Sequence, residues 1–492
     1  VRVLKDILKG IIVREVTGSV DIPIREITFD SRKADTDTLF VAIKGSQTDG
    51  HLYIGQAISN GARAVICQQP PPDAPAGVTM IITEDTAKAL GTVARNFYDD
   101  PSGKIILVGV TGTNGKTTIA TLLYDLFTKL GFRSGLISTV NNRIINDTRP
   151  ATHTTPDTLS IHALIREMTD KGCDYCFMEV SSHAIHQQRI AGLTFSGALF
   201  TNITHDHLDY HKTFQEYVKA KKRFFDQLPP DGFALVNKDD RNGQVMIQNC
   251  EAKIHTYALR SMADFTCRIL EQHRDGTLIS IDNRELWTHL IGEFNMYNLL
   301  CVYSCALILG LPKNKVPEAL SELRPVKGRM DTIITGKGVT AIVDYAHTPD
   351  ALSKVLQTLQ TVGNKKASLI TVVGAGGNRD RSKRPLMAKI ACDYSDKVIL
   401  TSDNPRSENP EDIIRDMLDG ADEAMKKKTV TIINREEAIK SALFMAREGD
   451  IVLVAGKGHE NYQEIAGVRH HFDDKEVIAR LEGGTTPEEQ KR

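Results

Sequence analysis

The stretch Ile105-Ile106-Leu107-Val108-Gly109-Val110-Thr111-Gly112-Thr113-Asn114-Gly115-Lys116-Thr117-Thr118 decides the fold. Residues 105–110 are an apolar run of strand length. Residues 117–130 read as a helix, because Ile119, Leu122, Leu123, Leu126, Phe127 and Leu130 recur at helical spacing and Gly131 supplies a stop. Strand, glycine loop and helix in that order make a phosphate-binding loop. Glycines let backbone N–H groups curl around phosphate oxygens, and the helix N-terminus adds partial positive charge. In such a loop Lys116 would reach the β- and γ-phosphates and Thr117 would ligate Mg²⁺. A strict Walker A pattern requires Gly at position 110, where this chain has Val.

Downstream, strand-like runs at 176–180, 197–202 and 233–237 alternate with helical segments, which predicts a mostly parallel sheet covered by helices. Upstream, short apolar runs at 39–43, 64–67 and 79–82 are punctuated by Gly and Pro, and Pro70-Pro71-Pro72 opens a surface loop. Pro101-Ser102-Gly103 reads as a linker. A third block begins near Gly328, with strands expected at 339–344, 368–373, 397–400 and 451–455. The expectation is an α/β protein of three domains: a small N-terminal α/β domain (1–102), a central phosphate-loop parallel-sheet domain (103–327) and a C-terminal Rossmann-like domain (328–492). Ligands of open α/β sheets bind beyond the carboxyl ends of the strands. Asp344, residues 374–380, 403–406 and 456–460 all fall at such ends.

Composition agrees. The 492 residues suffice for about three domains, and 61 Lys and Arg against 62 Asp and Glu leave no basic excess for coating nucleic acid. No apolar run approaches the roughly 18 residues of a membrane span. Residues 299–311 are shorter, contain Ser304 and Gly310, and read as a buried core helix. The N-terminus lacks the apolar core of a signal peptide, so a cytoplasmic location is expected. The eight cysteines are scattered, and the one C-x-x-C, Cys173 to Cys176, runs into an apolar strand, which favours reduced core thiols over a redox or zinc site.

Glu179 ends one predicted strand, and Thr204-His205-Asp206-His207-Leu208-Asp209-Tyr210-His211 is dense in oxygen and imidazole donors. Zinc requires a closed set of N and S ligands, whereas a strand-end Glu beside a phosphate loop suits Mg²⁺. Asn237-Lys238-Asp239-Asp240 matches the guanine-reading N-K-x-D of GTPases, but no D-x-x-G lies between the phosphate loop and this point, so a GTP switch is disfavoured.

These motifs, with Met178-Glu179-Val180-Ser181-Ser182-His183, Asp344-Tyr345-Ala346-His347-Thr348-Pro349, Asp403-Asn404-Pro405-Arg406 and Gly456-Lys457-Gly458-His459-Glu460, resemble the Mur ligases in order and over almost the whole chain. The resemblance implies an ATP-dependent ligase of peptidoglycan precursor synthesis. Such an enzyme phosphorylates the D-Glu carboxylate of UDP-MurNAc-L-Ala-D-Glu, and an amino acid then attacks the acyl phosphate. It implies ATP contacts from Thr111, Gly112, Thr113, Asn114, Gly115, Lys116, Thr117, Asn298, Arg329 and Asp344, with His347 close by. Mg²⁺ would lie on Thr117, Glu179 and His207 with Lys221, the last as a CO₂-derived carbamate that converts a repelling ammonium into a metal-binding carboxylate. Without the resemblance, Lys219, Lys221 and Lys222 read as a solvated basic face. The UDP-substrate would lie against Phe29, Ser31, Ser46, Gln47, Thr48, His153, Thr154, Thr155, Ser181, Gln187 and Arg189. His153 and Lys212 depart from the family, which more often has Asn and Gly there.

In the family, the Asp403-Asn404-Pro405-Arg406 form goes with meso-diaminopimelate as the added amino acid. Its second carboxylate, which lysine lacks, suits a bidentate clamp by Arg406. Arg379 would hold a carboxylate, and Gly456 and Glu460 would receive the amino group. The alternatives are lysine addition, a folylpolyglutamate synthase-like ligase and, outside enzymes, a phosphate-loop switch. The family also implies a monomer.

Overall fold

A computed structural model describes residues 1–45, 48–73, 75–363 and 367–482. The strand Ile106–Thr111 lies inside an eleven-stranded sheet, paired in parallel with Tyr175–Glu179 on one side and Gly197–Phe200 on the other. Strands this central are covered on both faces, which is why they read as continuous apolar runs rather than alternating ones. Gly109 stands within the run because Phe224 packs over it: a Cβ there would lie 2.5 Å from the phenylalanine ring.

The sheet is parallel from Ser134–Ile137 through Lys253–Ala258 and on to Phe265–Gln272, which pairs in parallel with Lys253–Ala258 and antiparallel with the next strand. It is extended at both ends by antiparallel strands that the sequence reading did not anticipate. Asn141–Ile144 and Asp147–Pro150 form a hairpin at one edge, and Phe265–Gln272, Thr277–Ile281 and Arg284–Thr288 form a meander at the other. Their strands are short or alternate in burial, so they carry a weaker apolar signal than the parallel core.

The phosphate-loop helix is Lys116–Lys129, with Gly131 at φ +91° ending it. It is buried on nearly every side, not along a single stripe: Thr117 through Tyr124 are all buried. The sheet covers one side and the apolar helix Glu293–Ile308, also buried from Leu299 to Ala306, covers the other.

A five-stranded sheet precedes this unit, ordered Glu15–Thr17, Thr79–Ile82, Ala62–Cys67, Thr38–Val41 and Glu26–Thr28, with only its first strand antiparallel. Its helix Thr86–Phe97 docks on the central unit through Gly91, whose absent Cβ would stand 2.4 Å from the Ala191 backbone. A six-stranded sheet follows, ordered Asp331–Ile334, Thr340–Asp344, Ile451–Ala455, Leu369–Val373, Lys397–Leu400 and Thr429–Thr431, parallel except for the first pair. Among the described residues no helix is long and apolar enough to cross a membrane. All eight cysteines are free. Cys173 and Cys176 are buried, and burial pushes both thiols up, as for core residues.

Candidate active site

Parallel pairing brings the strand ends Thr111, Glu179 and Phe200 to one edge of the central sheet, and the phosphate loop crosses that edge. Gly112 and Gly115 take positive φ, +151° and +89°. A Cβ on Gly115 would meet the Asn298 side-chain oxygen at 2.5 Å, so the loop lies tight against the helix Glu293–Ile308. Asn202 Oδ1 accepts the Asn114 N–H, and the Thr201 hydroxyl donates to the Asn114 carbonyl.

Two cavities open here, of about 730 Å³ and 470 Å³. The larger holds Thr113 through Thr118, Glu179, Asn298, Arg329 and Asp344. The smaller holds His153, Thr155, Ser181, Arg189 and Lys221 from the central unit, and Arg379, Asp403, Asn404, Arg406, Gly456 and Glu460 from the C-terminal one. Lys116, Thr154, Asp206, His207, Tyr345 and His347 line both, forming a common wall.

In the larger cavity, the Thr117 hydroxyl donates to Glu179 Oε2 (2.9 Å) and accepts from Arg329 Nη2 (3.2 Å). The other Glu179 oxygen accepts the Thr139 N–H at 2.7 Å. Lys116 Nζ folds back onto the carbonyls of Gly112 and Thr113, and loss of hydration lowers its pKa. Buried Lys221 donates to the Gly112 carbonyl at 2.8 Å. Burial first, and then Lys116, hold its ammonium well below the usual lysine range. Asp344 accepts the N–H groups of Met330 and Ala346, and burial pushes its carboxyl up.

Arg189 is braced by Gln187 Oε1 and the Thr155 carbonyl. The Thr155 hydroxyl donates to the Glu179 carbonyl, and the Ser181 hydroxyl caps the helix Ser182–His186. Arg406, at φ +54°, donates to the Gly377 carbonyl at 2.7 Å, and Asn404 Nδ2 donates to Glu460 Oε2 at 2.7 Å.

Several expected residues lie elsewhere. Thr111 is fully buried in its strand, its hydroxyl without a partner, and lines neither cavity. Neither do Gln187 and Pro405. Phe29, Ser31 and Thr48 belong to the N-terminal unit away from both cavities. Phe29 is exposed, and the Ser31 hydroxyl donates to Gln56 Oε1. Ser46 and Gln47 lie outside the described residues. The N-K-x-D look-alike braces its surroundings and also lines the larger cavity: Asp239 accepts the N–H groups of Leu259, Arg260 and Ser261 and the Tyr297 hydroxyl, and Asn237 donates to the Thr201 carbonyl. Sequence reasoning missed Lys383, whose Nζ reaches Asp206 Oδ1 at 2.6 Å, and Asp350, which accepts from Asn114 Nδ2 at 3.0 Å. Each pair is far apart in sequence, so no local spacing reports it.

The chain matches "Mur ligase family, catalytic domain" over residues 23–98, "Mur ligase middle domain" over 110–306 and "Mur ligase, glutamate ligase domain" over 328–458. The chain belongs to the Mur ligase family. It is therefore an ATP-dependent, amide-bond-forming ligase. This Mur ligase is 54% identical to the UDP-N-acetylmuramoyl-L-alanyl-D-glutamate–2,6-diaminopimelate ligase of Bacteroides fragilis, covering 97% of this chain and 99% of that one. It is 55% identical to the protein of the same name from Phocaeicola vulgatus, over 96% and 98% of the two chains. A solved structure of a ligase of that name superposes with a TM-score of 0.70 at 34% identity, covering 98% of this chain and 99% of that one. A Mycobacterium tuberculosis folylpolyglutamate synthase shares the fold at 17% identity, with a TM-score of 0.61 over 81% of this chain and 96% of its own.

Proposed function

We infer that this Mur ligase adds meso-diaminopimelate to the D-Glu carboxylate of UDP-MurNAc-L-Ala-D-Glu, using ATP, in the synthesis of peptidoglycan precursors. The observation that carries the reading is the smaller cavity, where Arg379, Arg406, Asn404 and Glu460 converge and meet the phosphate loop across one wall. Two arginines suit an acceptor with two carboxylates, and the names of its relatives agree.

A carboxylate is a poor electrophile because its leaving group would be oxide or hydroxide. Attack of a substrate carboxylate oxygen on the γ-phosphorus forms an acyl phosphate and releases ADP. Attack of the acceptor amine on that carbonyl then forms the amide and releases phosphate. No protein nucleophile takes part, so the chain acts by positioning and by neutralising charge. Lys116 and the loop amides hold the phosphates, Arg329 reaches over Thr117 to the same place, and Arg189 faces the substrate's anionic groups. The oxygen donors Thr117 and Glu179 fit Mg²⁺, with His207 and a Lys221 carbamate as further ligands. The Thr117 hydroxyl and Glu179 Oε2, 2.9 Å apart beside the phosphate loop, are the oxygen ligands that a hard cation prefers. Mg²⁺, when bound, offsets charge on the β- and γ-phosphates. Lys221 suits carbamylation because a buried lysine of lowered pKa presents the neutral amine that combines with CO₂.

We assign the nucleotide-sugar end to residues 1–102, ATP to 103–327 and the acceptor to 328–492, with Phe29, Ser31, Ser46, Gln47 and Thr48 holding the UDP end. We propose that the protein acts as a monomer, as the family resemblance implies. ATP and a nucleotide-sugar as substrates support a cytoplasmic location.

Incubation with ATP, Mg²⁺ and UDP-MurNAc-L-Ala-D-Glu, then with meso-diaminopimelate or L-lysine, tests the reading by phosphate release and product mass. Amide product with meso-diaminopimelate is expected. Equal or better turnover with lysine refutes the acceptor assignment, and no product with either refutes the function. Arg406→Ala should lower kcat/KM for meso-diaminopimelate by about 10–100-fold, the worth of one charged hydrogen bond, and leave the slow lysine rate unchanged.

A further inference from the structure

The acceptor loop contains a cation that the reaction above does not use. The Lys457 side chain is 0% exposed and lies outside the cavity wall. Gly456 and Gly458 flank it at φ +115° and +53°. A Cβ on Gly456 would stand 2.6 Å from Asp403 Oδ2, and one on Gly458 would stand 2.6 Å from Tyr345 Cβ. The backbone is thus pressed against the cavity-lining residues on both sides of Lys457, while its side chain is enclosed in the protein.

An ammonium has three donors and no acceptor. Lys457 directs its donors to the Tyr462 carbonyl, to Asn404 Oδ1 at 3.3 Å and to Glu460 Oε2 at 3.5 Å. This fixes the Asn404 amide: Oδ1 faces Lys457 and the Glu464 N–H, and Nδ2 donates to Glu460 Oε2. Glu460 is held at one oxygen by two donors, and its Oε1 is left to the Tyr345 hydroxyl at 3.4 Å and to the cavity. Beneath lies the buried pair Arg435–Asp474 (2.7 Å), whose guanidinium also acts on Asp403 and Glu460. Lys457 is the cation in direct contact with Glu460. The carboxylates of Asp403 and Glu460 line the cavity here, and the Glu460 oxygen turned away from Lys457 is an acceptor for an incoming ammonium group.

We propose that Lys457 is a positioning residue for the acceptor amino acid, orienting Asn404 and Glu460 to receive its amino group. The proposal rests on the acceptor reading of this cavity. It is tested by measuring KM separately for meso-diaminopimelate, ATP and the nucleotide substrate in Lys457→Met and Lys457→Arg. Lys457→Met should raise the acceptor KM about 10-fold or more, the worth of a charged hydrogen bond, with the other two KM values within about twofold. Lys457→Arg should recover part of the loss. If Lys457→Met does not fold, Lys457→Gln carries the same expectation, because it keeps an N–H donor while removing the charge and shortening the reach. An unchanged acceptor KM, or a parallel rise in all three, overturns the proposal. A wild-type enzyme that makes no amide with meso-diaminopimelate overturns the acceptor reading itself, whatever the variants do.

Discussion

Single side chains record how far each environment departs from water. His162 is fully buried on the helix Thr158–Asp170, with Nε2 3.3 Å from the Ala191 carbonyl and Nδ1 unpartnered. Burial lowers its pKa from 6.5 to about 4. The native imidazole stays neutral while the unfolded one takes a proton below pH 6.5, so stability is lost as pH falls from 6.5 toward 4. The loss reaches up to about 3 kcal/mol. Urea midpoints compared at about pH 7.5 and pH 5 should diverge less in His162→Leu than in wild type; equal divergence would remove His162 as the cause. Nothing in the sequence marks His162, because its role depends on a loop 29 residues away. Lys116, Glu179 and Arg406 were legible because each sits in a motif whose spacing is local. Lys383 and Lys457 act through long-range partners that no spacing encodes.

At the level of elements, the parallel strands could be read from the sequence because burial on both faces makes them uniformly apolar. The strand Phe233–Asn237 and the strand Ile451–Ala455 fall on the expected residues. The antiparallel edges carry the opposite signature. In Asn141–Ile144, Asn142 and Ile144 are buried while the residues between stay partly exposed, and the segment is too polar to stand out. The phosphate loop shows how an element is fixed by what it touches. Gly115 combines φ +89° with a close approach to Asn298, so Gly115→Ala strains the backbone and pushes on a neighbour at once. The variant should lose about 1–3 kcal/mol of stability and bind ATP more weakly, read by thermal unfolding with and without nucleotide. A variant with wild-type unfolding and ATP binding would show that the loop relaxes freely.

Over the whole molecule, the C-terminal unit meets the central one through polar links around the two cavities as well as apolar packing of Ile291 and Phe294. Lys383 and Asp206 form an ion pair whose side chains are 16% and 7% exposed, Asp350 meets Asn114, and Arg329 meets Thr117. Lys383→Ala leaves Asp206 without this cation, so one link between the central and C-terminal units is lost. The radius of gyration from X-ray scattering should rise, and apparent acceptor affinity should fall by about 5-fold or more. Unchanged scattering and affinity would show the link to be incidental. The common wall of Lys116, Thr154, Asp206, His207, Tyr345 and His347 has a further consequence for inhibitor design. A single compound joining a phosphate mimic to a dicarboxylate amine across that wall would occupy both chambers at once. Its second half would bind at the high effective concentration set by a short tether, and its affinity would exceed that of either half alone.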